Sequence, residues 1–464
     1  MKPPRLAAVP GRSALGWPMS PSHRYPQGNV LYRALDRDLP LIVRGEGCSL
    51  FDEDGKRYLD ACGGAFVASL GHGVRELGEA IAEQVAKVAY VNGTAFTNEP
   101  CEALSAELVT LVPRGLDHAF FLSSGSEAVE AALKLARQHF VESGRPEKHK
   151  FIACTPGYHG NTLLALSVSA REHYRAAFGP YLVPVRMIPA PYPYRGEPRD
   201  PASSAQALEQ ALLEEDPRTV AAFIAEPVGG TSTGASVPPR EHYRRVREVC
   251  DRHEVLFVAD EVLCGSGRTG FFAALEDFGV TPDIMTLGKG LSGGYVPLSA
   301  VLVNERVMRP IASGSRAVKH AQTFSHTPTI CAVGLAALRY LKAHRLVERC
   351  ARMGILLAEK LGALRALPAV GDVRGKGLLA GIEFVADKAT KAPFPRALRF
   401  AETFTACALE VGLVVWPGVG QAGGEGDLVM LAPPFIISPA EIEEISALFG
   451  QALLLTLEAC HVRP

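Results

Sequence analysis

Short apolar runs alternate with amphipathic stretches through the middle of this chain. Ala119–Leu122, Phe151–Cys154, Val220–Glu226, Leu256–Asp260, Ile284–Leu287 and Leu298–Val303 are each apolar and bounded by polar or turn-forming residues. Their length and lack of strict alternation read as strands buried on both faces. Between the first two, Ala128, Val129, Ala132, Leu133, Ala136 and Phe140 recur at helical spacing and predict a helix over Glu127–Phe140. Between the third and fourth, Arg240–His253 reads as a helix that is basic on one side. Strands alternating with helices predict an α/β fold, a mainly parallel sheet with helices on both faces.

The two ends read differently. Two strand-like runs around Asp54-Gly55, within Ser49–Asp60, predict a hairpin. Beyond about residue 345 come a helix, strand material over Gly371–Phe384, and shorter strands at Leu413–Trp416 and Leu428–Leu431. Ser438-Pro439-Ala440-Glu441 then opens the last helix, with serine at the N-cap, proline at N1 and glutamate at N3. The expected organisation is a loose Pro- and Gly-containing arm over residues 1–30 and a segment over 31–80 that packs with a small domain. A large domain over 81–345 and a small α+β domain over 346–464 complete it. No internal repeat or low-complexity tract interrupts this pattern.

Bulk composition removes several function classes. The 464 residues carry 48 basic and 49 acidic side chains, a formal net charge of −1, which gives no electrostatic case for nucleic acid or an anionic membrane. No apolar run approaches the roughly 18 residues of a spanning helix, and the first residues lack the apolar stretch of a secretory signal. The ten cysteines are scattered without a Cys-x-x-Cys pair. They read as reduced packing thiols of a cytoplasmic protein, and no metal site is expected.

The chemistry gathers around Lys289, which ends an apolar run between Gly288 and Gly290, 29 residues beyond Asp260. A lysine that is desolvated or flanked by cations loses its proton more readily and becomes a nucleophile toward an aldehyde. Most lysines beside glycines are solvated loop residues, so the surrounding residues decide. Ser123-Ser124-Gly125-Ser126-Glu127 joins a strand to a helix: it either caps the helix or offers free N–H groups and hydroxyls to a phosphate. Tyr158-His159-Gly160 follows a strand, where an aromatic can stack on a flat ring or be an ordinary loop tyrosine. Glu226 and the Asp260-Glu261 pair end apolar strands. Only one of Asp260 and Glu261 can face a ligand, because successive strand residues point to opposite faces. A carboxylate there holds a pyridine nitrogen protonated, or else forms a structural salt bridge, for instance to Arg268.

In this order and at these spacings the residues resemble the class III aminotransferases of the omega-amino-acid and amine type, fold-type I enzymes that use pyridoxal 5′-phosphate (PLP). Ser124-Gly125-Ser126-Glu127-Ala128, Asp260-Glu261-Val262, Gly267-Arg268-Thr269-Gly270, Gly288-Lys289-Gly290, Arg374-Gly375-Lys376-Gly377 and Ala432-Pro433-Pro434 carry the resemblance, from about Leu31 to the last helix. It implies a large domain built on a mainly parallel seven-stranded sheet and a smaller α+β domain from both chain ends. It implies that Lys289 forms the Schiff base and then carries the proton, and that Asp260 pairs with the ring nitrogen. Tyr158 and Val262 would cover the two ring faces, with His159 beside them. Glu226 would position Asp260, while Ser124, Gly125 and Ser126 hold the phosphate. Thr323 would reach the phosphate of a partner subunit, which implies a homodimer with shared active sites, or a tetramer built from it. Amino donor and keto-acid acceptor would react in two half-reactions. An aminomutase, decarboxylase or racemase of the same family is the alternative.

The pattern departs where the family grips a substrate carboxylate. Met430 stands where ornithine-type members place an arginine, and residues 418–427 lack the mobile arginine of amine:pyruvate members. Arg195 and Lys56 are the candidate substitutes, Arg374 reading rather as structural. Phe66 and Trp416 complete the expected substrate pocket.

Overall fold

The computed structural model describes residues 25–35, 37–195 and 201–462; most of the expected N-terminal arm lies outside them. Its centre is a sheet whose strands are β1 (Leu116–Leu122), β2 (Lys150–Thr155), β3 (Arg186–Pro189), β4 (Val220–Ala225), β5 (Leu256–Asp260), β6 (Ile284–Leu287) and β7 (Ser299–Asn304). Their order is β1-β7-β6-β5-β4-β2-β3. Parallel pairing joins β3 to β2, β2 to β4, β4 to β5 and β5 to β6, whereas β7 runs antiparallel to both β6 and β1. The apolar runs became strands because helices cover both faces. Ala222, Ile224 and Val258 pack into one core cluster with Ala128, Ala132 and Phe140, while Phe223, Ala225, Phe257 and Ala259 pack into another with Tyr243 and Val246.

Helix α1 (Gly125–Glu142) follows β1 directly. It starts there because Ser124 is its N-cap: the hydroxyl oxygen accepts from the Glu127 amide, and the Glu127 carboxylate accepts from the Ser124 amide. Strand β3 was not foreseen. It is a short edge strand with Pro189 at its end, and its apolar content is too small to stand out.

Both chain ends meet in a second sheet, where Leu413–Val414 pairs in parallel with Arg57–Asp60 beside the expected hairpin. A third sheet joins Val370–Lys376, Leu379–Phe384, Glu425–Leu431 and Trp416–Ala422, all antiparallel. The final helix, Pro439–Ala459, begins with the capping box read from Ser438 and Glu441. Among the described residues, no helix is long and apolar enough to cross a membrane, and no His, Cys, Asp and Glu cluster could hold a metal ion.

Candidate active site

The carboxyl ends of β2, β4 and β5, with the loop after β6, open on one cavity of about 290 Å³. Crevices at the carboxyl ends of parallel strands are where open α/β sheets bind ligands. Phe66, Gly125, Ser126, Tyr158, His159, Glu226, Asp260, Val262, Lys289 and Trp416 line it. A larger cavity, about 700 Å³, lies between the Ile355 and Arg374 regions but brings together no comparable set of buried carboxylates around a lysine.

Lys289 begins the tight turn Lys289–Leu291 after β6 and adopts a left-handed backbone, φ +43°. Such a conformation is uncommon for a residue with a side chain and tends to be held at functional sites. Its side chain meets the cavity but is otherwise surrounded by protein. Burial lowers its pKa, and the charges of Asp260 and Glu226 only partly oppose that fall.

Asp260 ends β5 and faces the cavity, 4% exposed. One carboxylate oxygen accepts from His159 Nδ1 at 2.7 Å; the other accepts from the Thr286 hydroxyl at 3.0 Å and the Val262 amide at 3.1 Å. Burial disfavours a charged His159, but the hydrogen bond and charge of Asp260 outweigh it, and the histidine pKa is raised. Glu261 points the other way, as strand alternation requires. It accepts from the amides of Ala274 and Leu275 at 2.6 and 2.9 Å, and burial pushes its pKa up to about 7. Neither carboxylate meets Arg268, which instead donates to the carbonyls of Pro433 and Leu378. The pairing with Arg268 is thereby excluded, and the ionic partner of Asp260 is His159.

Glu226 is fixed by amides rather than by Asp260: it accepts from Gly230 at 2.9 Å and from Tyr158 at 3.3 Å. Burial raises its pKa. A Cβ on Gly230 would lie 2.5 Å from a Glu226 oxygen, so a side chain there would displace that carboxylate.

The anion end is the first turn of α1. The amides of Glu127 and Ala128 are taken by the Ser124 side chain and carbonyl, leaving those of Gly125 and Ser126 toward the cavity. A Cβ on Gly125 would fall 2.6 Å from Val262 Cγ1 and fill this cradle. The Ser126 hydroxyl accepts from the Asn161 amide at 3.0 Å, which ties the cradle to the Tyr158 loop.

These residues fit PLP. A buried lysine suits its aldehyde, Asp260 its ring nitrogen, Tyr158 and Val262 its flat ring, and a helix N-terminus its phosphate.

Three expected site residues fall elsewhere. Ser124 does not line the cavity, because its oxygen caps α1. Arg195 is drawn into a buried network with Glu383, which also binds the Tyr192 hydroxyl and Arg374. Met430 is fully buried, in an apolar cluster with Phe66 and Leu428, so it backs the pocket wall without facing the cavity. Of the other candidate grips, Lys56 donates to the Leu409 carbonyl and Arg374 to the Thr233 carbonyl. Thr323 is exposed and outside this cavity.

The sequence profile of the class III aminotransferases matches residues 33–453. The chain belongs to this family. This aminotransferase is 38% identical to an uncharacterised aminotransferase, YodT, of Bacillus subtilis, over 89% of this chain and 95% of the relative. It is 35% identical to the diaminobutyrate–2-oxoglutarate transaminase of Halomonas elongata, over 88% of each chain. Its fold superposes on an (S)-enantioselective omega-transaminase of Thermomicrobium roseum with TM-score 0.86 and 38% identity, covering 91% of this chain and 94% of the other. An omega-transaminase of Pseudomonas jessenii in complex with PMP gives TM-score 0.87 and 32% identity, covering 94% and 98%. The aminotransferase is therefore a PLP-dependent transaminase of fold type I.

Four polar cavity residues of this aminotransferase escaped the sequence reading: Arg33, Arg171, Tyr174 and Thr231. Arg33 precedes the strand Ile42–Glu46, Arg171 and Tyr174 lie at the cap and inside the short helix Glu172–Arg175 after β2, and Thr231 sits in the loop after β4. No motif marks them, since only the folding back of those loops brings them to the cavity.

Proposed function

We propose that the enzyme moves an amino group from an amine or omega-amino acid to a keto acid, with Lys289 as the group that carries the proton. The observation behind this reading is that a lysine whose pKa burial lowers and the carboxylate of Asp260 line the same cavity. When bound, PLP supplies an aldehyde that links to amines and a ring that delocalises the electron pair left on the substrate carbon. Asp260, held by His159, Thr286 and the Val262 amide, would be the carboxylate that meets the ring nitrogen. Tyr158 and Val262, both lining the cavity, would hold the flat ring. The amides of Gly125 and Ser126 would hold the phosphate. Lys289 Nζ, once free, takes the proton from the substrate carbon and returns it, a contribution on the order of 10²–10⁴-fold. Phe66 and Trp416, their rings 5.7 Å apart, exclude water from the substrate side.

The same reading makes the working enzyme a cytoplasmic homodimer, with Thr323 completing the phosphate site of the partner subunit. Small molecules are its substrates; nucleic acid and membrane are not partners. The test is a donor and acceptor panel on purified protein with added PLP, read by absorbance. The visible band of lysine-linked cofactor is expected to bleach with a competent donor and return with a keto acid. Lys289→Ala should lack the band and the turnover. A protein that stays colourless with added PLP, or that bleaches with no donor, overturns the reading.

A further inference from the structure

Arg171 is 9% exposed and lines the cofactor cavity. One N–H donates to the Thr231 carbonyl at 2.8 Å, out of the five a guanidinium carries. No described carboxylate forms an ion pair with it. Glu226 lies close enough to favour its charge, yet both Glu226 oxygens already accept backbone amides. Arg33 lines the same cavity, donates to the Tyr174 hydroxyl, and adds a second positive charge that repels the first. A buried cation without an anion is unfavourable, and a guanidinium binds a carboxylate with two parallel hydrogen bonds. Both family-type carboxylate grips are missing, since Met430 is buried in the wall and residues 418–427 hold no arginine. Apart from Lys289, and from His159 which is paired with Asp260, Arg33 and Arg171 are the basic side chains lining the cavity among the described residues.

We propose that Arg171, assisted by the charge of Arg33, anchors a carboxylate of the substrate, so that the enzyme selects carboxylate-bearing donors and keto acids over simple amines and ketones. This deepens the transamination reading and rests on it. A carboxylate entering between Tyr158, Tyr174 and Arg171 offsets the repulsion between the two arginines and takes up guanidinium donors that Thr231 leaves over. Thr231 holds the guanidinium in place, so the anchor is positioned before substrate arrives.

The experiment compares matched pairs that differ by one carboxylate, 4-aminobutanoate with butylamine and 3-aminobutanoate with sec-butylamine. It uses the PLP-loaded enzyme and follows each half-reaction by the bleaching of the visible band. In Arg171→Met the half-saturating concentration of the carboxylate member should rise at least thirtyfold more than that of its plain-amine partner. Arg171→Lys, which keeps the charge and loses the fork, should recover part of that difference and guards against a folding defect in the first variant. Glutarate, which has no amine or carbonyl, is titrated in parallel by calorimetry and should bind at least tenfold more weakly to Arg171→Met. Equal losses on both members of every pair, or unchanged glutarate affinity, overturn the anchor. If wild type transfers from no donor at all, the transamination reading fails separately, and the glutarate titration still decides the anchor.

Discussion

His159 Nδ1 lies 2.7 Å from a carboxylate oxygen of Asp260, and both residues are buried. The pair joins two strand ends, since His159 follows β2 and Asp260 closes β5. It fixes the Asp260 side chain against rotation on one oxygen while Thr286 fixes the other. Replacing Asp260 by Asn should therefore do two things. Transamination should fall at least about 10²-fold, as expected when a charge aimed at a reacting group is removed. The His159 pKa, raised by Asp260 against the opposing effect of burial, should drop below its ordinary value. Imidazole titration by NMR reads the second effect without any turnover. An unchanged His159 titration in Asp260→Asn would falsify the electrostatic account of the pair.

Gly125 faces Val262 so closely that an added Cβ would sit 2.6 Å from a Val262 methyl. Gly125→Ala should weaken PLP binding at least tenfold, because the turn must shift its amides away from the phosphate. Shortening the neighbour in Gly125→Ala/Val262→Ala should restore part of that loss. PLP titration of the apo forms gives the numbers, and no recovery in the double variant would mean that backbone freedom, not the clash, is the cause.

His242 tests the fold rather than the chemistry. It is buried, and burial lowers its pKa to about 4. The unfolded chain binds the proton near pH 6.5 and the folded chain only near 4, so stability falls as pH drops through that window and the full cost is present below it. The cost is on the order of 3 kcal/mol. His242→Phe should lose less stability than wild type between pH 7 and pH 4.5, measured by urea midpoints at each pH. Parallel losses in the two proteins would refute the assignment.

Thr323 sits exposed on this chain, away from its own cavity. In the homodimer reading it serves the neighbour's phosphate. Light scattering should give at least twice the chain mass of 49.6 kDa. Thr323→Val should weaken PLP binding several-fold while leaving the dimer intact. A fully active monomer would rule out the shared site.

Much of the site was legible because its chemistry is local to strand ends. Asp260 and Glu261 are adjacent in sequence, and strand alternation alone says that one faces the ligand and the other does not. The structure then shows Glu261 bound to the amides of Ala274 and Leu275. Ser124 was misplaced because a serine before a helix serves equally as cap or ligand donor, and only the reciprocal bond to Glu127 decides. Arg195 was misplaced because a lone arginine in a loop takes its partner from wherever the chain folds. Here that partner is Glu383, 188 residues away in sequence.

The sequence by itself determined the alternation of buried strands and covering helices, the capped helix starts at Ser124 and Ser438, and the position of Lys289 just past a strand end. These rest on short-range periodicity and on residue chemistry, which the chain carries wherever it folds. Only the tertiary structure decided which cation meets the cavity. Arg171, Arg195 and Arg374 are indistinguishable as letters; burial beside Glu383 occupies the last two, while Arg171, beside the cavity, forms no ion pair with a carboxylate among the described residues. A charge's availability is set by the neighbours that desolvate or pair with it, and those neighbours are assembled from segments far apart in sequence.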